Sequence, residues 1–322
     1  MFKKMTLVLA FIAAMVSLTA HAADPFPQRP IHMIVGFAAG GPTDQAARIV
    51  AEAMGKVLGQ PVIVDNRPGA NSMIAARALI ASKPDGYTIS LASNGVLTVA
   101  GARYKALPFD VKKDFVPIGS VAGYSHVLVM PKQQSVPDLK ALIAKGKSSA
   151  HPLTIASVGN VDELTIALFR KLAGISFSII PYKGQSESLT DLLAGRVDMS
   201  FLAPAVAQSL IANGNLHPIA VSGGARLQGL PDVPTMQQAG LPGFKVEIWN
   251  ALIAPAGTDP SVIAVLGKSL RDALAEPSVQ KRLADSGLVA IIDTADALSQ
   301  KIDSEGAEWK SLAREEGLPL LD

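Results

Sequence analysis

The feature that most constrains the fold is a recurring pattern: a short apolar run, a loop of small residues, then a helical pattern. The first case spans residues 31–59. Its apolar run ends in a glycine-rich loop, and Pro42 follows, a residue suited to the first turn of a helix. Asp44 lies in that turn, where a negative charge is favourable. The stretch predicts a helix N-terminus whose free N–H groups suit a carboxylate or phosphate.

On its own this stretch fits the first strand–helix unit of any α/β domain. Its glycines do not follow the pattern Gly-x-Gly-x-x-Gly, and no Gly-Lys-Ser/Thr comes after them. A dinucleotide or nucleotide site is therefore not indicated.

The alternation continues through both halves of the chain and predicts two mostly parallel sheets with right-handed crossovers. Residues 116–130 contain two apolar runs separated by Ala122-Gly-Tyr-Ser125, which we interpret as the crossing to a second domain. That domain is predicted to begin with a helix over 137–147, capped by Ser135.

Residues 1–22 have the pattern of a secretory signal peptide. A basic start is followed by an apolar run and by Ala20-His21-Ala22, which predicts cleavage near Ala22. The rest of the chain is then an exported, soluble protein in the periplasm. With no cysteine it has no disulfides, and 49% hydrophobic residues must supply its core. Without Lys3 and Lys4 the basic and acidic residues balance at 27 each, which argues against a nucleic-acid partner.

Motifs for catalysis or metal binding are missing from the sequence. The histidines do not recur at helical spacing, so a zinc site is not predicted. No Gly-x-Ser-x-Gly elbow occurs. Acid–base pairs between residues that are distant along the chain cannot be recognised from the sequence. We therefore predict no catalytic residue, no metal and no cofactor.

Small residues and uncharged hydrogen-bonding groups follow several predicted strands. Because ligands of doubly wound sheets bind outside the carboxyl ends of the strands, these loops predict a small-molecule cleft. For any single loop, however, Gly, Asn and Ser are ordinary turn residues. The loops are 39–43, 70–72, 93–94, 157–160 and 201–203.

Eight blocks and a tryptophan then occur in an order that resembles one family. The chain is similar to the Bug family, the periplasmic substrate-binding proteins of tripartite tricarboxylate transporters, over nearly its whole length after residue 22. The blocks are 30–44, 59–70, 84–88, 108–115, 181–184, 191–198 and 230–235, followed by Trp249 and 254–257.

The resemblance implies a type II periplasmic-binding-protein fold with two α/β lobes, an interlobe cleft and a two-strand hinge. Residues 23–122 plus 246–322 would form lobe 1, and residues 123–245 lobe 2. It further implies a monomer that closes on a small organic acid and delivers it to membrane permease subunits. The implied ligand-binding residues are Phe37, Ala38, Ala39, Gly40, Gly41, Thr43, Asp44, Asn71, Ser72, Ser93, Asn94, Ser157, Gly159, Asn160, Asp162 and Leu202.

Three departures from the family pattern bear on the ligand. Asn71 and Ser72 stand where relatives often carry Gly-Gly, and Glu163 replaces a His in a shortened second-lobe loop. Leu202 stands where relatives often have an Asp that can take a ligand amine. We therefore expect a plain or more apolar organic acid rather than an acidic amino acid, although Asp162 would repel an anion.

Two alternatives remain open from the sequence. The protein would report its ligand to a membrane sensor kinase instead of serving transport, or it would be a periplasmic enzyme on the same fold. An enzyme would need a nucleophile or an acid–base pair in the cleft.

Overall fold

The computed structural model describes residues 26–182 and 184–322, so the predicted signal peptide lies outside the described residues. The strands are β1 (Ile31–Val35), β2 (Val62–Asn66), β3 (Thr88–Ser93), β4 (Phe115–Tyr124), β5 (Val127–Pro131), β6 (Leu153–Ser157), β7 (Phe177–Pro181), β8 (Met199–Leu202), β9 (Leu216–Val221), β10 (Ile248–Pro255) and β11 (Val289–Ala290). The α-helices are α1 (Pro42–Leu58), α2 (Met73–Ile80), α3 (Ala100–Arg103), α4 (Val111–Asp114), α5 (Leu139–Ser148), α6 (Asn160–Ala173), α7 (Gln185–Leu193), α8 (Pro204–Ala212), α9 (Pro260–Ala275), α10 (Pro277–Asp285) and α11 (Ala295–Glu315). Shorter turns of 3-10 helix cover Ala70–Ser72 and Lys132–Gln134, and a π-helical turn covers Gly95–Val99.

The first strand–loop–helix unit forms as predicted. Gly41 is extended just before Pro42, and Gly59 ends α1 with φ at 68°, a left-handed conformation that glycine adopts without strain. The alanines, Ile49 and Val50 on one face of α1 are buried. This local geometry directs the N-terminus of α1 toward the loop 36–41.

The first sheet has six strands in the order β11-β4-β10-β3-β1-β2. β1 pairs in parallel with β2 and β3, whereas β10 runs antiparallel to β3 and β4. The predicted mostly parallel sheet is therefore wrong: this sheet is mixed. The reason is that β4 and β10 are the strands by which the chain leaves and re-enters the sheet, so helical crossovers do not fix their direction.

The second sheet has five strands in the order β7-β6-β8-β5-β9 and is mixed in the same way. β6 is parallel to β7 and β8, while β5 is antiparallel to β8 and β9. The chain passes from the first sheet to the second between β4 and β5, and it returns between β9 and β10. Ser222 joins the two crossings: its hydroxyl accepts from the His126 N–H and donates to the Val246 carbonyl, at 2.9 and 2.8 Å.

Each sheet is covered by helices on both faces. Period-two alternation along β10 shows this, because Trp249, Ala251 and Ile253 enter one core while Leu252 and Ala254 enter the other. Helix α11 packs against both halves of the molecule. Its first part, with Leu298 and Ile302, joins a core of the first sheet, and its last part joins a core of the second sheet through Trp309, Leu312 and Ala313. The ends of the chain's last helix thus bridge the two halves of the molecule.

The cap of α5 differs from the sequence-based expectation. Asp138, not Ser135, holds the N-cap position, and its side chain accepts from the Ala141 N–H at 2.8 Å. The hydroxyl of Ser135 donates instead to the Lys132 carbonyl. Pro137 explains the shift, since it disfavours helical conformation in the residue before it and moves the first turn downstream.

Candidate functional site

A cavity of about 220 Å³ lies between the two sheets, where the loops after β1, β3, β6 and β8 converge. The N-termini of α1 and α6 both reach it. Its volume is below the ~300–1,000 Å³ typical of small-molecule sites, so its ligand must be small. The lining residues are Phe37, Gly41, Pro42, Thr43, Ser93, Asn94, Tyr124, His126, Val158, Val161, Asp162, Gln185, Phe201, Ala203 and Ile248.

Asp44 does not line the cavity, but its carboxylate holds the first-lobe loop in place through hydrogen bonds. One of its carboxylate oxygens accepts from the Gly40 N–H and from Arg48 Nε, both at 2.9 Å. Asn66 Nδ2 donates to the other oxygen at 2.8 Å and to the Phe37 carbonyl at 3.0 Å. Burial alone would raise the pKa of Asp44, but these hydrogen bonds outweigh it and lower the pKa. The carboxylate is thus a fixed anion that shapes the loop.

Three uncharged side chains form the first-lobe wall and its support. Thr43 lines the cavity, and its hydroxyl donates to Asn250 Oδ1 at 3.3 Å. Asn94 is fully buried and donates through Nδ2 to the Glu247 carbonyl and to Glu305. Among the described residues, Asn94 Oδ1 and Asn250 Nδ2 have no hydrogen-bond partner although both are buried. Buried polar atoms are normally hydrogen-bonded. Of these two residues, Asn94 lines the cavity, whereas Asn250 does not and is linked to it through Thr43.

The second-lobe wall carries the cavity's ionisable groups. Asp162 Oδ2 accepts from the Val158 N–H at 2.8 Å, and its Oδ1 lies 3.8 Å from His126 Nδ1. Burial raises the pKa of Asp162 to about 7 and lowers the pKa of His126 to about 4. Burial also raises the pKa of Tyr124. At neutral pH the imidazole is therefore uncharged, and Asp162 lies near the midpoint of its titration.

Glu163 points away from the cavity. Its carboxylate accepts from Nε and Nη2 of Arg103, whose side chain is only 4% exposed. The pair joins α3, which follows β3 of the first sheet, to α6 of the second sheet's half. The acidic residue that stands in the family's His position is thus part of an interlobe contact.

The predicted site residues fall into two groups. Phe37, Gly41, Thr43, Ser93, Asn94 and Asp162 line the cavity. The residues that do not line it are Ala38, Ala39, Gly40, Asp44, Asn71, Ser72, Ser157, Gly159, Asn160 and Leu202. Contact of either group with a ligand stays a prediction.

Several residues of the second group have structural partners. Ser72 donates to the Gly36 carbonyl, and a Cβ at Gly36 would collide with the Ser72 side chain. Asn71 donates to the Tyr104 hydroxyl at 2.7 Å, while Asn160 donates across the lobes to the Gly95 carbonyl at 3.4 Å. Leu202 is completely buried among apolar residues of the second sheet.

Sequence reasoning missed the aromatic and aliphatic part of the wall. Tyr124 and His126 flank the crossing between the sheets. Phe201, the next-to-last residue of β8, lies in the predicted loop 201–203 but was not among the named ligand-binding residues. The crossing itself was a usable signal, because a segment that joins two lobes must pass beside the cleft between them. Gln185 and Ile248 carried no such signal, since each reaches the cavity only through the packing of α7 and β10.

Three other concavities are larger, at about 480, 720 and 530 Å³. The first lies between α11 and residues 243–249, and two of its lysines already pair with Glu315 and Glu247. The second lies along α1, where Lys56 pairs with Glu52. The third lies between α11 and residues 97–112, where Lys112 pairs with Asp303. In the part of the chain that the structure describes, no cluster of three or more metal-ligating side chains occurs. None of the described helices is both long and apolar enough to cross a membrane.

Comparison with known proteins identifies the family. A family model described as "Tripartite tricarboxylate transporter family receptor" (TctC) matches residues 46–318. BugT of Bordetella pertussis is 36% identical over 325 residues, which cover 98% of this chain and 99% of BugT.

Solved structures of similar proteins agree with this family assignment. MatC from Rhodopseudomonas palustris with bound malate is 31% identical with a TM-score of 0.78, over 89% of this chain and 100% of that one. Rpa4515 from R. palustris, solved with adipate, is 27% identical with a TM-score of 0.84, over 92% of this chain and 100% of that one. The resemblance to the Bug family and the predicted periplasmic-binding-protein fold are thus confirmed, and the chain belongs to the TctC (Bug) family of periplasmic solute-binding proteins.

Proposed function

We propose that this protein captures a small organic carboxylate in the cavity between its two sheets and delivers it to the membrane subunits of a tripartite transporter. The observation that carries the proposal is the first-lobe wall, where the N-terminus of α1 and the hydroxyl of Thr43 line the cavity. Helix N-termini attract anions because their first N–H groups lack helical partners and carry partial positive charge. The relatives solved with malate and adipate support the same ligand class.

The proposal includes the division into lobes predicted from the sequence. Residues 23–122 plus 246–322 would move against residues 123–245, with the two crossings at Ser222 as the hinge. Export to the periplasm, cleavage near Ala22 and a monomeric state are parts of the same proposal. Reporting to a sensor kinase has no observation in its favour.

Binding without catalysis is also part of the proposal. The cleft does contain the ionisable pair that an enzyme would need, Asp162 and His126. Their nearest atoms are 3.8 Å apart, which is too far for a hydrogen bond. Among the described residues, no hydroxyl hydrogen-bonds to the His126 ring. An acid that binds is therefore expected to be recovered unchanged, which mass spectrometry after prolonged incubation checks.

A thermal-shift panel tests the binding function. Ligand-free protein is expected to unfold at a higher temperature with at least one acid from a set of citrate, malate, adipate, benzoate and 4-hydroxybenzoate. The stabilisation grows as RT ln(1 + [L]/Kd), so a ligand at about 100 times its Kd adds about 2.7 kcal/mol. Neutral amides of the same acids are the matched controls and are expected to give no shift. No shift with any acid would contradict the proposal.

Thr43→Val tests the first-lobe wall with a nearly isosteric change. In the bound state the Thr43 hydroxyl would donate to the ligand carboxylate in place of Asn250 Oδ1. Loss of a hydrogen bond to a charged group costs about 1.5–3 kcal/mol, so the best acid of the panel is expected to bind roughly 10- to 150-fold more weakly. Thr165→Val is the control: Thr165 is equally buried on α6 and bonds to the Val161 carbonyl, but it does not line the cavity. Isothermal titration calorimetry measures both. Equal affinities for the two variants would remove Thr43 from the binding wall.

A further inference from the structure

Two aspartates occupy corresponding positions at the two ends of the cleft. Asp44 and Asp162 each lie in the first turn of a helix, three residues after a glycine. Each accepts a hydrogen bond from the backbone N–H four residues earlier: Gly40 for Asp44 at 2.9 Å, and Val158 for Asp162 at 2.8 Å. The two lobes therefore share the same local arrangement, although only Asp162 lines the cavity.

The charge of only one of these aspartates is compensated. Arg48, four residues after Asp44, binds its carboxylate, and that carboxylate faces away from the cavity. The residue four positions after Asp162 is Ile166, a buried core residue. Arg103, a cation near this part of α6, is engaged by Glu163.

Asp162 therefore presents a carboxyl oxygen to the cavity without a counter-charge. The ionisable groups around it are Tyr124 and His126, from the crossing between the sheets, and Glu163 on its own helix. His126 is uncharged at neutral pH because burial lowers its pKa. Among the described residues that line the cavity, none is a lysine or an arginine.

The two ends of the cavity thus favour opposite chemistry. The α1 end offers hydrogen-bond donors and partial positive charge. The α6 end offers an acceptor, because the carboxyl group of Asp162 lines the cavity, whereas that of Asp44 does not. Between them the surface is mainly apolar, from Phe37, Phe201 and Ile248 together with neighbouring side chains. A second carboxylate on the ligand would face a like charge away from water, which is unfavourable.

We propose that the cleft selects a monocarboxylic acid that has an apolar body and a hydrogen-bond donor at its far end, with Asp162 accepting from that donor and excluding dicarboxylates and tricarboxylates. This inference rests on the proposed function, that the cavity binds an organic carboxylate. It assigns the first-lobe wall to the carboxylate and the second-lobe wall to the opposite end of the same molecule.

Two matched sets of acids test the selection by calorimetry at pH 8, where Asp162 is mostly ionised. Benzoate, 4-hydroxybenzoate and terephthalate share a ring, and 6-hydroxyhexanoate and adipate share a chain. The hydroxy acid of each set is expected to bind at least about ten-fold more tightly than its diacid partner. Lowering the pH to 5.5 is expected to strengthen diacid binding, because protonated Asp162 can donate to the second carboxylate.

Asp162→Asn is the diagnostic variant. Its amide oxygen can keep the bond from Val158, so its NH₂ group faces the cavity as a donor. The variant is expected to lose the preference for the hydroxy acid, to gain about ten-fold for the diacids and to lose their pH dependence. Asp138→Asn is the control: it removes the same charge at the exposed cap of α5, and its selectivity is expected to match the natural chain.

The outcomes separate the inference from the proposed function. Natural protein that binds the diacids as tightly as the hydroxy acids, with an unchanged ratio in Asp162→Asn, overturns the inference and leaves carboxylate binding intact. Binding of malate or citrate with no binding of any monocarboxylate also overturns the inference and leaves carboxylate binding intact. If no acid of either set or of the larger panel binds, both proposals fail together.

Discussion

Asp162→Asn is expected to raise the stability of the ligand-free protein at pH 8 by up to about 4 kcal/mol. The value follows from the rise in the pKa of Asp162 from 3.8 to about 7, at about 1.36 kcal/mol for each pKa unit. The cause is burial, which makes the ionised carboxylate costly in the folded state. Asparagine has the same shape and carries no charge at any pH.

The sign of the pH dependence follows from the direction of this pKa change. The folded state prefers the protonated form, so the contribution of Asp162 is fully present below pH 3.8 and is lost as the pH rises through 7. The difference in unfolding free energy between Asp162→Asn and the natural chain is therefore expected to grow from pH 4 to pH 7 and to stay constant above. Urea unfolding curves at several pH values measure it.

Asp44→Asn is the matched variant with the opposite expected sign. Hydrogen bonds to its carboxylate lower the pKa of Asp44 below 3.8. Its contribution is therefore present above that pH and is lost as the pH falls through the lower folded value. At pH 8 this variant is expected to be less stable by about 1–3 kcal/mol, because Arg48 and Gly40 lose a charged acceptor. Equal signs for the two variants would contradict the assignment of one compensated and one uncompensated aspartate.

Glu163→Leu is expected to destabilise the protein by about 3–5 kcal/mol, because it leaves Arg103 buried without a counter-charge. The side chain of Arg103 is 4% exposed and that of Glu163 is 28% exposed. Arg103→Met is therefore expected to cost less, since the remaining Glu163 still reaches water. The double variant is expected to be more stable than Glu163→Leu alone.

A double-mutant cycle by urea unfolding measures the coupling of this pair. The control is the pair of Lys171 and Glu315, which joins α6 to α11 and is nearly half exposed on both sides. Exposed pairs contribute about 0–1 kcal/mol, so Lys171→Met is expected to change stability little. If Glu163→Leu lowered the free energy of unfolding no more than Lys171→Met does, the pair of Arg103 and Glu163 would not contribute to stability.

The pair also bears on lobe movement. It lies where α3 meets α6, near the contact between Asn160 and the Gly95 carbonyl. Weakening it is expected to favour separation of the lobes, which small-angle X-ray scattering of Arg103→Met would show as a larger radius of gyration without ligand.

Most of the α/β architecture could be predicted from the sequence, because local signals fix it. Pro42 and Gly59 bound α1, and the apolar run before the loop 36–41 forms the end of β1. Strand direction was predicted less well. Whether β10 lies parallel or antiparallel to β3 depends on the route of the chain between lobes, which leaves no mark in the residues of either strand.

The candidate site could likewise be predicted only in part. The loop of residues 36–44 was found because a glycine-rich turn before a proline-initiated helix is a local pattern. The hydrogen bonds that hold this loop could not be predicted, since the bond from Asn66 to Asp44 joins residues 22 positions apart. Asp44 and Asp162 look alike in sequence, each in a helix's first turn after a glycine.

What the sequence by itself determined is therefore the family, the α/β class and the helix that begins at Pro42, because each rests on short-range patterns of residues. Only the tertiary structure decided which of two similar aspartates faces the cavity and which is neutralised. That distinction depends on Arg48 and Asn66 converging on one carboxylate while Arg103 is engaged by Glu163 near the other. Charge compensation acts over a few ångströms of space, whatever the separation along the chain, and here it sets the polarity of the cleft.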